Sequence, residues 1–187
     1  MTAIAWDGET LAADGLLTFG SSVGGTRTQK IYRSSDFLVE QWTMLGETVL
    51  AFGFSGDIGA HLPLISALND VLTYETPFPR HMLLNAILIT EGGDCWMYQK
   101  QRDNEFGTLY LVDMPYFSIG SGGDAATAAM IAGRNALDAV AIAMDCDVYT
   151  GGELHAWTPN RITANGRTQL QHVEGQDLWY PELEGAE

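Results

Sequence analysis

Met1-Thr-Ala-Ile-Ala-Trp-Asp-Gly-Glu-Thr-Leu-Ala-Ala-Asp14 holds two short β-like runs, 2–6 and 9–14, on either side of Asp7-Gly8. Asp-Gly favours a two-residue hairpin loop, because both central residues of that turn take φ > 0. With that loop, strict pairing sets Thr2 opposite Ala13 and Asp14 opposite Met1. A hydroxyl and a carboxylate then stand close together at the start of the chain. If Met1 is trimmed, Thr2 becomes the first residue, and a free N-terminal Thr carries a nucleophile and a base on one residue.

The remaining sequence has the composition of a packed protein. Its 187 residues are 46% hydrophobic and 18% charged, enough for one domain with a substantial core. We expect that domain over residues 1–173, with an acidic tail over 174–187 that has no Lys or Arg. A formal charge of −15 argues against nucleic acid or an anionic membrane as partner, since both need a basic surface. No stretch approaches the length of a membrane span, and no basic region precedes an apolar core at the N-terminus, so no signal peptide is expected. Cys95 and Cys146 form no CxxC pair and read as two buried free thiols, which favours the cytoplasm.

Along the chain, 15–25 is rich in Gly and Ser and reads as a surface loop. Residues 29–33 (Gln-Lys-Ile-Tyr-Arg) alternate as a half-buried strand that exposes Lys30 on one face, while 34–47 carries no clear pattern. A buried strand over 48–54 ends at Ser55-Gly56-Asp57. Ile58, Leu62, Ile65, Leu68 and Leu72 then keep helical spacing, with Ser55 or Asp57 available as a cap and Pro63 in the first turn. Strands follow over 83–90 and 95–99 and again, around Asp113-Met-Pro115, over 108–112 and 116–119. Gly120-Ser-Gly-Gly-Asp124 opens one long helix, 124–144, in which Arg134 and Asp138 make an i,i+4 pair. Strands over 153–157 and 168–173 close the chain. Strands, a helix, more strands and another helix fit an α+β layered domain better than alternating βαβ units.

Several chemistries find no support. Gly120 to Ala125 matches G-x-G-x-x-A, but the helix runs on to Asp145 and leaves no second strand to carry the acidic residue of a dinucleotide site. Gly53-Phe-Ser-Gly-Asp57 misses the last glycine of a nucleophile elbow. His61, His81, His155 and His172 show no metal spacing, and Asp145-Cys-Asp147 lacks the glycine and glutamate of a calcium loop. Neither a metal nor a cofactor is expected.

Thr2, Asp14, Lys30, Ser121, Asp147 and Thr150 remain. With the glycines around them they resemble proteasome β-subunits and the HslV-type peptidases of the N-terminal nucleophile (Ntn) hydrolase superfamily, as a short bacterial or bacteriophage member. The hairpin ending in Ala-Ala-Asp14 resembles the family's opening motif, and Lys30 follows Asp14 by sixteen positions, the family's Asp-to-Lys spacing. Ser55-Gly56 is similar to its Ala-Gly turn, Ile119-Gly-Ser-Gly-Gly to its Gly-Ser-Gly motif before a helix, and Asp147-Val-Tyr-Thr-Gly-Gly152 to its Asp-x-Tyr-Ser-Gly-Gly. The matches run in the family's order over residues 2–152. Between Lys30 and Ser55 the chain is longer than the family's, and between Gly56 and Leu83 one helix fits where the family has two.

The resemblance implies a four-layer αββα sandwich of two antiparallel sheets and hydrolysis of a peptide or other amide. Thr2 would be the nucleophile and its α-amine the base. Lys30 would favour the neutral amine, Asp14 would hold Lys30, and the Gly56 amide would steady the oxyanion. Ser121, Asp147 and Thr150 would position the amine and its water. The resemblance also implies a homo-oligomer, with a ring among the arrangements. Because the absent helix contributes to the family's assembly surfaces, an ATPase partner is not carried over. The alternative is a catalytically silent scaffold or binding subunit of a larger assembly, in a phage for instance.

Overall fold

The computed structural model describes residues 2–37, 41–164 and 167–171. In chain order the strands and helices are β1 (Ile4–Trp6), β2 (Leu11–Asp14), β3 (Leu17–Phe19), β4 (Ser22–Gly25), β5 (Ile31–Arg33), β6 (Trp42–Met44), β7 (Glu47–Gly56) and α1 (His61–Asp70). They continue with β8 (Leu84–Thr90), β9 (Cys95–Lys100), β10 (Thr108–Val112), β11 (Phe117–Ile119), α2 (Gly123–Ile131), α3 (Ala136–Cys146), β12 (Leu154–Trp157), β13 (Asn160–Ala164) and β14 (Arg167–Gln171). The fold is α+β. One antiparallel sheet runs β11-β1-β2-β12, and a larger one runs β10-β9-β8-β7-β5 with β6 also on β7.

Side-chain alternation in the opening hairpin decides what packs where. Ile4, Trp6, Leu11 and Ala13 join Ile31, Ala51, Ile87, Ile89 and Met97 of the larger sheet in one apolar cluster. Their neighbours Ala3, Ala5 and Ala12 belong to another, with Ala126, Ala129, Met130, Ala139, Val140 and Ala143 of α2 and α3. Period-two alternation accounts for both memberships, and the small alanines let the helices lie close to the strands. A third cluster joins Leu64, Leu68 and Leu72, in and just after α1, to Trp42, Phe52, Leu84, Leu88 and Tyr98 of the larger sheet.

The hairpin register differs from the Asp7-Gly8 expectation. Ile4 pairs with Ala13 and Trp6 with Leu11, so the loop has four residues rather than two. Asp7 is the reason: its carboxylate accepts the N–H groups of Glu9 and Thr10 at 2.9 and 2.7 Å and closes a wider turn. The shift is two residues, so every side chain keeps its face. It carries Asp14 from beside Met1 to beside Ala3, and the Asp14 N–H donates to the Ala3 carbonyl at 3.2 Å.

Other expectations change for equally local reasons. The 15–25 stretch is not a loop throughout but the hairpin β3–β4. Lys30 is not exposed but 5% accessible, because its partner lies inside the molecule. The unassigned 34–47 stretch contains a 3-10 turn, Ser34–Asp36, and β6. Neither Ser55 nor Asp57 caps α1, whose N-cap is Ala60; the Asp57 carboxylate instead accepts the Leu83 N–H and pairs with Arg102. Strands β10 and β11 do not pair with each other, since β10 joins β9 and β11 joins β1. Cys95 is buried as expected, but Cys146, the last residue of α3, is exposed.

The expected long helix 124–144 is two helices. Gly133 takes φ +92°, and the N–H groups of Gly133 and Arg134 return to the carbonyls of Met130 and Ala129, a glycine-terminated helix end. Asn135 then caps α3 by accepting the Asp138 N–H at 2.8 Å. Arg134 therefore lies between helices, and the expected i,i+4 geometry with Asp138 does not form. Strand β13 was not anticipated, β14 lies within the expected 168–173 strand apart from its first residue, and the acidic tail falls outside the described residues. Among the described residues no helix is long and apolar enough to cross a membrane.

Asp7 also accepts the Ala136 N–H at 2.7 Å, tying the hairpin loop to the first turn of α3. Replacing it with Ala leaves three N–H groups without this acceptor. Asp7→Ala should cost about 1–3 kcal/mol in urea unfolding, and a midpoint equal to wild type would show that the loop closes without it.

Candidate active site

Asp14 ends β2, opposite Leu154 of β12, and is fully buried. A buried carboxylate needs donors on both oxygens. Here Oδ1 accepts the Thr2 hydroxyl, the Ala3 N–H at 2.9 Å and the Lys30 ammonium at 2.7 Å. Oδ2 accepts the N–H groups of Leu16 at 3.2 Å and Gly151 at 3.0 Å. Lys30 stands just before β5, and the Phe54 N–H of β7 donates to its carbonyl at 3.1 Å. Its ammonium also donates to Thr2 Oγ1. Thr2 thus gives its hydrogen to a carboxylate and takes one from an ammonium, with 2% of its surface exposed.

Burial lowers the Lys30 pKa below its ordinary value, opposed by the charge and hydrogen bond of Asp14. This ion pair is shielded from water, so its loss is felt more than that of a surface pair.

The backbone of Thr2 is held from the other side. Its N–H donates to Ser121 Oγ at 3.2 Å, and its carbonyl accepts the Gly122 N–H at 3.1 Å. Ser121 sits in the turn between β11 and α2, where Gly120 takes φ +95° and any Cβ would run into the Thr2 carbonyl. Only glycine suits that position. Asp147, just after α3, accepts the Tyr149 N–H at 3.1 Å and the Thr150 hydroxyl at 2.8 Å. Burial alone would raise the Asp147 pKa; hydrogen bonds from the Ser121 and Thr150 side chains and the Tyr149 N–H bring it below the usual carboxylate value.

All six side chains singled out in the sequence therefore meet in one network around Thr2. Gly56, expected at an oxyanion site, lines the same cleft as Thr2 and Lys30. The cleft encloses about 110 Å³. Sequence reasoning missed other residues that line it, among them Leu16, Leu17, Tyr32, Phe54 and His61. Apart from the neighbours Leu16 and Leu17 they come from separate elements, with no spacing that could have grouped them. Among the described residues no three His, Cys, Asp or Glu side chains gather to hold a metal ion.

No protein-family model matches the sequence, and no curated protein matches it closely enough to count as a relative.

Asp14→Ala strands the Lys30 ammonium inside the protein and should cost about 3–5 kcal/mol. Lys30→Met leaves Asp14 its Thr2, Ala3, Leu16 and Gly151 donors and should cost less; the reverse order in denaturant unfolding would show that the ammonium, not the carboxylate, organises the site. Asp147 has the opposite pH signature to a group with a raised pKa. Its folded pKa lies below its unfolded value of 3.8, so its contribution is complete above that value and fades as pH falls through the folded pKa. Acid unfolding of Asp147→Asn should lack this component, which subtraction from the wild-type pH–stability curve would reveal.

Proposed function

We propose that this chain is a threonine-type amidohydrolase or peptidase, a proteasome- and HslV-like member of the Ntn hydrolases acting in the cytoplasm. The observation that carries the reading is the Thr2 hydroxyl held between the buried Asp14 carboxylate and Lys30 ammonium, inside a cleft that also includes Gly56. The corresponding layer order is α1, the larger sheet, the smaller sheet, then α2 with α3, and the three apolar clusters support that αββα arrangement.

The chemistry requires cleavage of the peptide bond before Thr2. The freed α-amine then stands where the Thr2 N–H now faces Ser121. An α-amine titrates at about 7.7–8.0, suited to take a proton near neutral pH. The Lys30 charge disfavours its protonated form. Thr2 Oγ attacks the substrate carbonyl as its proton passes to the amine, and the Gly56 N–H steadies the oxyanion. The amine hands the proton to the leaving nitrogen as the C–N bond breaks. Water then attacks the ester on Thr2, its proton returning through the amine, which releases the acid and restores the hydroxyl. Thr suits this task because its β-branch restricts χ1 and pre-orients Oγ. Assembly with further copies of the chain, in a ring or otherwise, belongs to the same proposal.

Two measurements test it together. Intact mass should show a species lacking Met1, and that species should cleave fluorogenic peptides. Thr2→Ala should lower cleavage at least about 10³-fold, to the residual level that binding and oxyanion contacts alone support. Cleavage unchanged in Thr2→Ala puts the nucleophile elsewhere. Full retention of Met1 with no cleavage identifies the chain as a silent scaffold or binding subunit.

A further inference from the structure

The catalytic proposal leaves one buried ammonium unused. Lys100 ends β9 opposite Leu84 of β8, and none of its surface is exposed. A charge taken out of water needs a partner for each of its three N–H groups. Here the partners are backbone carbonyls: Gln101 at 2.7 Å, Met82 at 3.0 Å and Arg80 at 3.4 Å. Arg102, in the turn after β9, donates to the His81 carbonyl at 3.4 Å and to Asp57 Oδ1 at 2.7 Å. Three consecutive carbonyls, those of residues 80 to 82, are thus held by two cations.

Residue 83 completes the grip. The Leu83 N–H donates to Asp57 Oδ2 at 2.8 Å, and the Asp57 N–H donates back to the Leu83 carbonyl at 2.9 Å. That second bond fixes the peptide group that follows Gly56. The Leu83 carbonyl also lies so close to Gly56, at φ +146°, that no Cβ would fit. In the β7–β8 ladder Gly56 faces Leu84, and the bonded position is the next one, Asp57 with Leu83. Hydrogen bonding alternates along an antiparallel ladder, so the Gly56 N–H points away from β8. It faces the edge where the Phe54 N–H meets the Lys30 carbonyl, and Gly56, Lys30 and Thr2 line one cleft.

Building on the threonine-hydrolase reading, we propose that Lys100 and Arg102 are positioning residues for the Gly56 amide, acting through the 80–83 segment. Neither lines the cleft, so neither meets the substrate. Residues 80–83 belong to no strand or helix, and the two cations take the place of a ladder there. They hold the segment from behind, and its last residue holds the Gly56–Asp57 peptide. An oxyanion gains its hydrogen bond only as the transition state forms. An amide that drifts from its place therefore costs turnover and leaves substrate binding as it was.

The clamp can be read first without catalysis. In the full chain carrying Thr2→Ala, adding Lys100→Met should raise the exchange rate of the Asp57 N–H at least about tenfold, as expected when a charged donor is lost, and shift the Gly56 amide resonance in NMR. The rise should exceed that across β2, which separates local release from general loss of stability. Arg102→Met should act in the same direction. Its side chain is mostly exposed, so the test stands even where Lys100→Met does not fold. With Thr2 intact and Met1 removed, both variants should lower kcat on fluorogenic peptides about tenfold at unchanged KM, short of the roughly 10²–10³-fold loss of an oxyanion donor removed outright. Exchange at Asp57 that rises no more than in β2, or an unchanged kcat, in the variants that fold would overturn the positioning role. No cleavage by the parent chain without Met1 sinks the hydrolase reading and the catalytic role with it, whatever the exchange rates show.

Discussion

The buried carboxylate of Asp14 is the constraint on which the centre of this molecule depends. A charge without water must be met on every open lone pair, and here five donors from four stretches of chain do so. Thr2 and Ala3 bring the N-terminal strand, Leu16 the chain after β2, Lys30 the approach to β5, and Gly151 the loop after α3. The smaller sheet, the approach to the larger sheet and the loop after α3 are thus tied at one point. That point is also where the only hydroxyl in the set is polarised.

This arrangement explains why glycine surrounds the site. The Gly120 turn approaches the Thr2 carbonyl so closely that a side chain could not be placed there, and its positive φ aims the following residues at Thr2. Such a turn sets Ser121 against the Thr2 nitrogen while Gly122 fastens the carbonyl. Rigid backbone, rather than long side chains, therefore places the second half of the network. It is the kind of support that keeps reactive geometry from relaxing.

How much was legible in the sequence follows from whether a feature is local. Strands such as β8 and β9 announce themselves through apolar runs bounded by Glu91-Gly-Gly-Asp94, and both formed close to where the pattern ends. The helix over 124–144 misled because alanine and apolar residues continue across the break. Gly133 and Asn135, a left-handed stop and a cap two residues later, were the contrary signal. The hairpin misled for a similar reason: Asp-Gly suggested the shortest loop, but the Asp7 carboxylate bound two N–H groups ahead and widened it.

The six polar side chains that gather at Thr2 were singled out by a resemblance of motifs, whereas residue types and spacing alone determined the α+β pattern and most strand positions. These depend on periodicity, turn chemistry and order along the chain, which are properties of neighbouring residues. Only the tertiary structure decided that Lys30 points inward, that Asp14 lies beside Ala3, and that Tyr32, Phe54 and His61 share one wall. A lysine on an alternating strand reads as exposed until its counter-ion, sixteen positions earlier, is known to be buried beside it. Rings on three separate elements have no mutual spacing, because what unites them is contact across the fold.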